Sequence, residues 1–202
     1  MSATQAATSG AVGGSEWRWR SWSRTEPVLV VDIGGGSTEL VLGEGATRNA
    51  RSMDIGSVRL HERHLHSDPP TAAEVAACVA DIDQHLDSCG VPLDRARAVI
   101  GTSGTIKTLA CGVLDLDTYD REAFDGAVLD NATADAFVER LLAMTVAERR
   151  ALPYMHPGRA DVIGAGALIW SRILSRVPVP EHRVSEADIL HGMAAAISGR
   201  SG

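Results

Sequence analysis

Val28-Leu29-Val30-Val31-Asp32-Ile33-Gly34-Gly35-Gly36-Ser37-Thr38-Glu39 is the stretch on which the reading of this 202-residue chain turns. Its first four residues form a short, continuous apolar run, as expected of a buried strand. The run stops at Asp32, and three consecutive glycines follow. Without Cβ atoms the backbone can turn sharply and bring its N–H groups close to a ligand. Several amides converging in one concavity suit an anion, phosphate above all. Ser37 and Thr38 add hydroxyl donors. The stretch is not G-x-x-x-x-G-K-[ST], because no lysine follows. Nor is it G-x-G-x-x-G opening a helix, because residues 39–42 read as a second strand.

Asp32 and Glu39 flank this loop, and two carboxylates there would repel a polyanion unless something intervenes. The usual solutions are a Mg²⁺ bridging carboxylate and phosphate oxygens, or a water that the carboxylate positions or deprotonates. Both belong to phosphoryl chemistry, in which positioning and charge neutralisation carry most of the catalysis. A plain hairpin turn between two solvated acids is the simpler alternative. A second loop, Gly101-Thr102-Ser103-Gly104-Thr105, tips the balance. It also follows an apolar strand, at 97–100, and Ile106-Lys107-Thr108-Leu109 can open a helix aimed at the same ligand. Lys107 is the only lysine in the chain and reads as an ordinary surface residue.

Outward from these loops the pattern alternates. Residues 48–55 supply a third strand, so the sheet begins antiparallel or mixed. Asp68-Pro69-Pro70 is a breaker, and Thr71-x-x-Glu74 reads as a capping box before Val75, Val79, Ile82 and Leu86 at helical spacing. Phe137, Val138, Leu141 and Leu142 mark another helix, Thr145-x-x-Glu148 opens a short one, and residues 162–174 read as a buried helix. A short strand near 182–185 leads to a last helix with Ser185 as N-cap and Asp188 near its positive end. The order describes an α/β layer with ligand loops gathered at strand ends.

Composition narrows the function classes. Nineteen basic against 26 acidic side chains give a net charge of −7, which disfavours a nucleic-acid partner. Forty-five per cent hydrophobic residues exclude a disordered chain. No apolar run approaches the ~18 residues of a membrane span. Cys78, Cys89 and Cys111 form no C-x-x-C pair and fit buried, inert thiols in a reducing, cytoplasmic setting. Residues 1–26 stand apart, with three of the four tryptophans at 17, 19 and 22 among arginines. They read as an unstructured or atypical leader; a basic-aromatic contact segment is the alternative.

The motif at 30–39 closely resembles the second phosphate motif of the exopolyphosphatase / guanosine pentaphosphate phosphohydrolase (Ppx/GppA) family, of the actin, sugar kinase and heat-shock chaperone superfamily. Gly56-Ser57-Val58-Arg59-Leu60, the 101–105 loop, Arg159-Ala160-Asp161-Val162-Ile163-Gly164-Ala165-Gly166-Ala167 and Val184-Ser185-Glu186-Ala187-Asp188-Ile189-Leu190-His191-Gly192 resemble its later motifs in the same order. The resemblance implies a ribonuclease-H-like half over residues 27–202, with a mixed sheet flanked by helices. It also implies Mg²⁺-dependent hydrolysis of terminal phosphoanhydrides in polyphosphate or guanosine pentaphosphate. Asp32 would then hold the metal or its water shell, and Glu39 would orient or deprotonate the attacking water. Gly34, Gly35, Gly36, Ser37 and Thr38, with Gly101, Thr102, Ser103, Gly104 and Thr105, would bind phosphates; Ser57 and Arg59 are cleft candidates. Members of the family have two such halves around a cleft. Here only the second is visible, so the expectation is a truncated or lone half, with the leader as a truncation scar. A homodimer or a complementing first-half chain would then complete it. The competing readings are a non-catalytic phosphate- or nucleotide-binding module and an ATP-binding half of a superfamily relative.

Smaller signals read more plainly. His61, His64 and His66 suit a solvated segment better than a metal site. Asp115, Asp117, Asp120 and Asp125 lack the spacing of a calcium loop and read as a solvated loop. Arg149, Arg150 and Arg159 read as surface residues, with a polyanion track as the alternative.

Overall fold

The computed structural model describes residues 26–44 and 47–186. The expectations for the leader and for a last helix beyond Ser185 lie outside the described residues. Six strands form one mixed sheet: β1 (Val28–Ile33), β2 (Thr38–Glu44), β3 (Thr47–Met53), β4 (Ala98–Gly101), β5 (Val128–Asp130) and β6 (Glu181–Val184), in the spatial order β3-β2-β1-β4-β6-β5. The first three pair antiparallel, β4 and β6 run parallel to β1, and β5 returns antiparallel at the edge. Helices α1 (Ser57–His64) and α2 (Ala72–Asp87) connect β3 to β4. Helices α3 (Gly104–Val113), α4 (Arg121–Phe124), α5 (Asn131–Ala143), α6 (Val146–Arg150) and α7 (Ile163–Leu174) lie between β4 and β6.

Both parallel strands are added in the same direction along the sheet, so right-handed crossovers carry the intervening helices to one face. Accordingly α1, α2, α3 and α5 all pack around α7. That face is the core. Leu29, Val31 and Ile33 of β1 are buried beside Leu40 and Leu42 of β2 and Val99 of β4. Ten of the twelve residues of α7 are buried against them, as its apolar sequence predicts. The opposite face carries Val28, Val30 and Asp32, which are only half-buried. The run at 28–31 is therefore buried on one side, not both. Trp170 stands edge-on to His182, with ring centroids 5.0 Å apart. Burial pushes the His182 imidazole down to about 4, and its Nδ1–H donates to Asn131 Oδ1.

Local signals explain most element ends. Thr71 caps α2 and Glu74 reaches back to the Thr71 amide, whose hydrogen bond pulls the Glu74 carboxyl down to about 2. Thr145 and Glu148 make the same box at α6. Three expectations need correction. Residues 57–64 form α1, so His61 and His64 are helical instead of sitting on a solvated segment. Asp120 caps α4 and Asp125 accepts from the Glu186 amide, so the aspartates around 115–125 are partly structural. Arg149 is 3% exposed rather than a surface residue, and donates to the carbonyls of Leu141, Met144, Ala160 and Asp161. It satisfies carbonyls that the C-terminus of α5 leaves open. Cys78, Cys89 and Cys111 are buried free thiols, and burial pushes Cys78 up to about 12 and Cys111 to about 11. No helix among the described residues is long and apolar enough to cross a membrane.

Candidate active site

The glycine loop leaves β1 and turns at once into β2, closed by the Gly34 amide donating to Ser37 O at 2.9 Å. Its orientation is set from outside. Gly56 offers no side chain to cap α1, and loop carbonyls satisfy the first amides of that helix. Ser57 N donates to Gly34 O at 2.9 Å, and Val58 N and Arg59 N donate to Gly35 O at 2.9 and 3.1 Å. A trans peptide points its N–H opposite to its C=O. With the Gly34 and Gly35 carbonyls turned into α1, the amides of Gly35 and Gly36 are aimed away from it. Both glycines are exposed, and neither amide, nor that of Ser37, donates to a backbone carbonyl among the described residues. The exposed amides form a cradle whose geometry suits an anion. The close approach depends on Gly56, where a Cβ would fall 2.4 Å from Gly35 O.

Strand register places the acids. Asp32 is the Cα partner of Glu39, and Glu39 is the partner of Ser52. All three side chains therefore stand in one row on the sheet face away from the helices, beside the loop. Glu39 Oε1 accepts two hydroxyl hydrogen bonds, from Ser37 Oγ at 2.7 Å and from Ser52 Oγ at 2.7 Å. Thr38 alternates to the other face. It is fully buried and its hydroxyl donates to Ile55 O at 2.7 Å, so the structure turns that side chain away from the cradle. The Ser37 hydroxyl is likewise engaged on Glu39.

The second loop sits at the adjacent strand end. Thr102 N and Oγ1 both donate to Val31 O, at 3.0 and 3.3 Å, which ties the loop to β1. Gly101 and Thr102 are buried, and a Cβ at Gly101 would strike Ile106 and Trp170. They build the loop instead of lining its mouth. Ser103 caps α3 by accepting from Ile106 N at 3.4 Å. The amides of Gly104 and Thr105 then open the positive end of a ten-residue helix. The Arg159 guanidinium lies over this end: a Cβ at Gly104 would overlap it, and its Nη1 donates to Thr108 Oγ1 at 3.3 Å. Arg159 is thus a half-buried cation at the loop and not a surface residue. Its position in the Arg159-Ala160-Asp161 segment was the signal available in the sequence.

Other candidates divide. Arg59 reaches the tip of the first loop, its Nη2 3.8 Å from where a Cβ of Gly36 would stand. Ser57 is 7% exposed, with its hydroxyl 3.4 Å from Gly34 O, and packs near Gly166 of α7. Lys107 is no ordinary surface residue: its ammonium bonds Glu186 O at 2.9 Å and Glu186 Oε2 at 3.0 Å, and its side chain is 12% exposed. Asp81 gathers Arg63, His64 and His85. Burial pushes its carboxyl up, and the hydrogen bonds from His64 and Arg63 outweigh that and hold it low.

Among the described residues, no group of three or more His, Cys, Asp or Glu side chains could hold a metal. The oxygen donors beside the cradle are the Asp32 and Glu39 carboxylates. That set fits Mg²⁺, which binds through one or two carboxylates plus substrate phosphates rather than in an all-protein cage.

The model of the Ppx/GppA phosphatase family matches residues 19–199. The chain belongs to that family. Exopolyphosphatase 2 of Mycobacterium tuberculosis is 42% identical over 179 residues, which cover 86% of this chain and 56% of that protein. The crystal structure of an exopolyphosphatase-like protein aligns with TM-score 0.80 and 40% identity, over 87% of this chain and 61% of that one. The Ppx/GppA family member of Aquifex aeolicus aligns with TM-score 0.78 and 28% identity, over 88% and 58%. The mixed sheet with its helices is therefore the Ppx/GppA fold, and this chain spans little more than half the length of these relatives.

Proposed function

We propose that this Ppx/GppA chain is the phosphate-binding and acid-bearing half of an exopolyphosphatase-like phosphohydrolase. The substrate would be polyphosphate or guanosine pentaphosphate. The observation that carries the reading is the row of Asp32 and Glu39 in register beside the outward amides of Gly35 and Gly36. In this reading the terminal phosphoryl group sits on those amides. The next phosphates reach the α3 end under Arg159. Glu39 accepts a proton from the attacking water through the carboxylate oxygen that the serines leave free. Water oxygen bonds to the terminal phosphorus, the bridging P–O bond breaks, and the shortened chain leaves as an oxyanion. Asp32 would hold Mg²⁺ or its water shell, and the ion would supply charge neutralisation for the phosphate oxygens.

Asp32 and Glu39 face the side of the sheet away from the helices, which is where a complementing first half, on another chain or a second copy, would meet the substrate. A cytoplasmic setting accords with three buried, unpaired cysteines. The same open amides would also hold a phosphate chain without cleaving it, and a binding module is the second reading. One experiment separates the two. The purified chain is given polyphosphate and Mg²⁺, and orthophosphate release and calorimetric binding are measured for the wild type and Glu39→Gln. Release that Glu39→Gln lowers by ~10²–10⁴-fold, with binding retained, supports the hydrolase. Binding with no release from either supports the module, and undiminished release by Glu39→Gln contradicts the role given to Glu39.

A further inference from the structure

We infer that Ser52 is a positioning residue that aims the Glu39 carboxylate, an inference that rests on the reading of Glu39 as the base. Ser52 lies on β3, outside every motif that the sequence singles out. The sheet brings it to Glu39 by register, one strand away on the face that carries Asp32. Its hydroxyl donates to Glu39 Oε1 at 2.7 Å, and Ser37 Oγ donates to the same oxygen at 2.7 Å.

Two donors on one carboxylate oxygen do what one cannot. A glutamate has three side-chain torsions, and a single hydrogen bond leaves the carboxylate free to swing about its anchor. Donors from two directions, one in the loop and one across the sheet, fix the carboxylate plane. They leave Oε2 outside both hydrogen bonds, as the oxygen available to a water on the cradle. Ser37 belongs to the loop. Ser52 belongs to the sheet and fixes Glu39 whether or not the loop is occupied.

Ser52 is exposed and its hydroxyl bonds Glu39 Oε1, so its removal separates aim from stability. The test compares Ser52→Ala, Ser52→Thr and Glu39→Gln in the full chain, by steady-state phosphate release from polyphosphate with Mg²⁺ and by crystal structures of the serine variants. Ser52→Ala is expected to lower kcat by ~10–100-fold with KM unchanged, since small misplacement of a catalytic group costs this much. Its melting temperature should stay within about 2 °C of wild type. Ser52→Thr keeps the hydroxyl and should restore kcat to within about threefold. In the crystals, Glu39 should rotate or spread over several conformers in Ser52→Ala and keep its place in Ser52→Thr. Wild-type kcat in Ser52→Ala beside a dead Glu39→Gln overturns the inference and leaves the reading of Glu39 standing. Full release by Glu39→Gln overturns that reading itself. If no variant releases phosphate, the crystals decide: an unmoved Glu39 in Ser52→Ala overturns the inference.

Discussion

The two glycine loops occupy equivalent places, at the C-terminal ends of the adjacent parallel strands β1 and β4, yet they are built in opposite ways. The first is followed by a strand. The Gly34 and Gly35 carbonyls are taken up by the N-terminus of α1, the Gly35 and Gly36 amides face out, and the returning strand brings Glu39 opposite Asp32. The second is followed by a helix. Its early residues are packed away, and what it presents is the positive end of α3 under the Arg159 guanidinium. One loop thus carries the acids and the other the cation. In the proposed hydrolysis the two have separate tasks: a carboxylate would manage the attacking water at one phosphate, and positive charge would meet the neighbouring phosphates. The glycines differ accordingly. A Cβ at Gly36 would meet only the end of Arg59 and one at Gly35 a Val58 methyl at 3.2 Å, whereas at Gly56 and Gly101 it would run into backbone and core atoms at 2.4 and 2.5 Å.

This contrast can be broken one loop at a time. The larger effect is expected at the first loop. Gly56→Ala places a methyl group against the Gly35 carbonyl and must push the cradle off α1. Affinity for tripolyphosphate with Mg²⁺ should fall ~100-fold by calorimetry, because displaced amides no longer converge; unchanged affinity would show that the α1 contact does not shape the cradle. The smaller effect is expected at the second loop. Arg159→Ala removes a charge-assisted contact and should weaken the same binding ~10-fold, with a shallower salt dependence and no change in the Glu39 surroundings. A loss in Arg159→Ala as large as that in Gly56→Ala would mean that the cation, not the amide cradle, dominates the site.

Much of the frame was legible because its signals are local. The apolar run ending in Asp32 and a glycine triplet marks β1, and the Thr71 and Thr145 boxes mark helix starts that the structure makes. What escaped depends on distant partners. Helix α1 buries only Ser57 and Leu60, and its start is capped by carbonyls more than twenty residues upstream, so residues 57–64 carry little helical pattern. Strand β5 is three residues long with one buried side chain. Arg149 is buried among carbonyls, a pairing that leaves no mark in the residue pattern. At the site, the acids could be named from residue type, but their company could not. A hydroxyl beside a glycine loop reads as a ligand donor, whereas strand parity turns Thr38 into the core and Glu39 out. Ser52 enters only through the register of β2 on β3.

The central claim is that the two loops form one polyanion site at the strand ends. The most direct measurement is an amide NMR titration of the full chain with tripolyphosphate in the presence of Mg²⁺. The Gly35, Gly36 and Ser37 amides should shift together with those of Gly104 and Thr105 along a single binding curve. Shifts confined to one loop, following two unrelated curves, or mapping elsewhere on the sheet would contradict the claim.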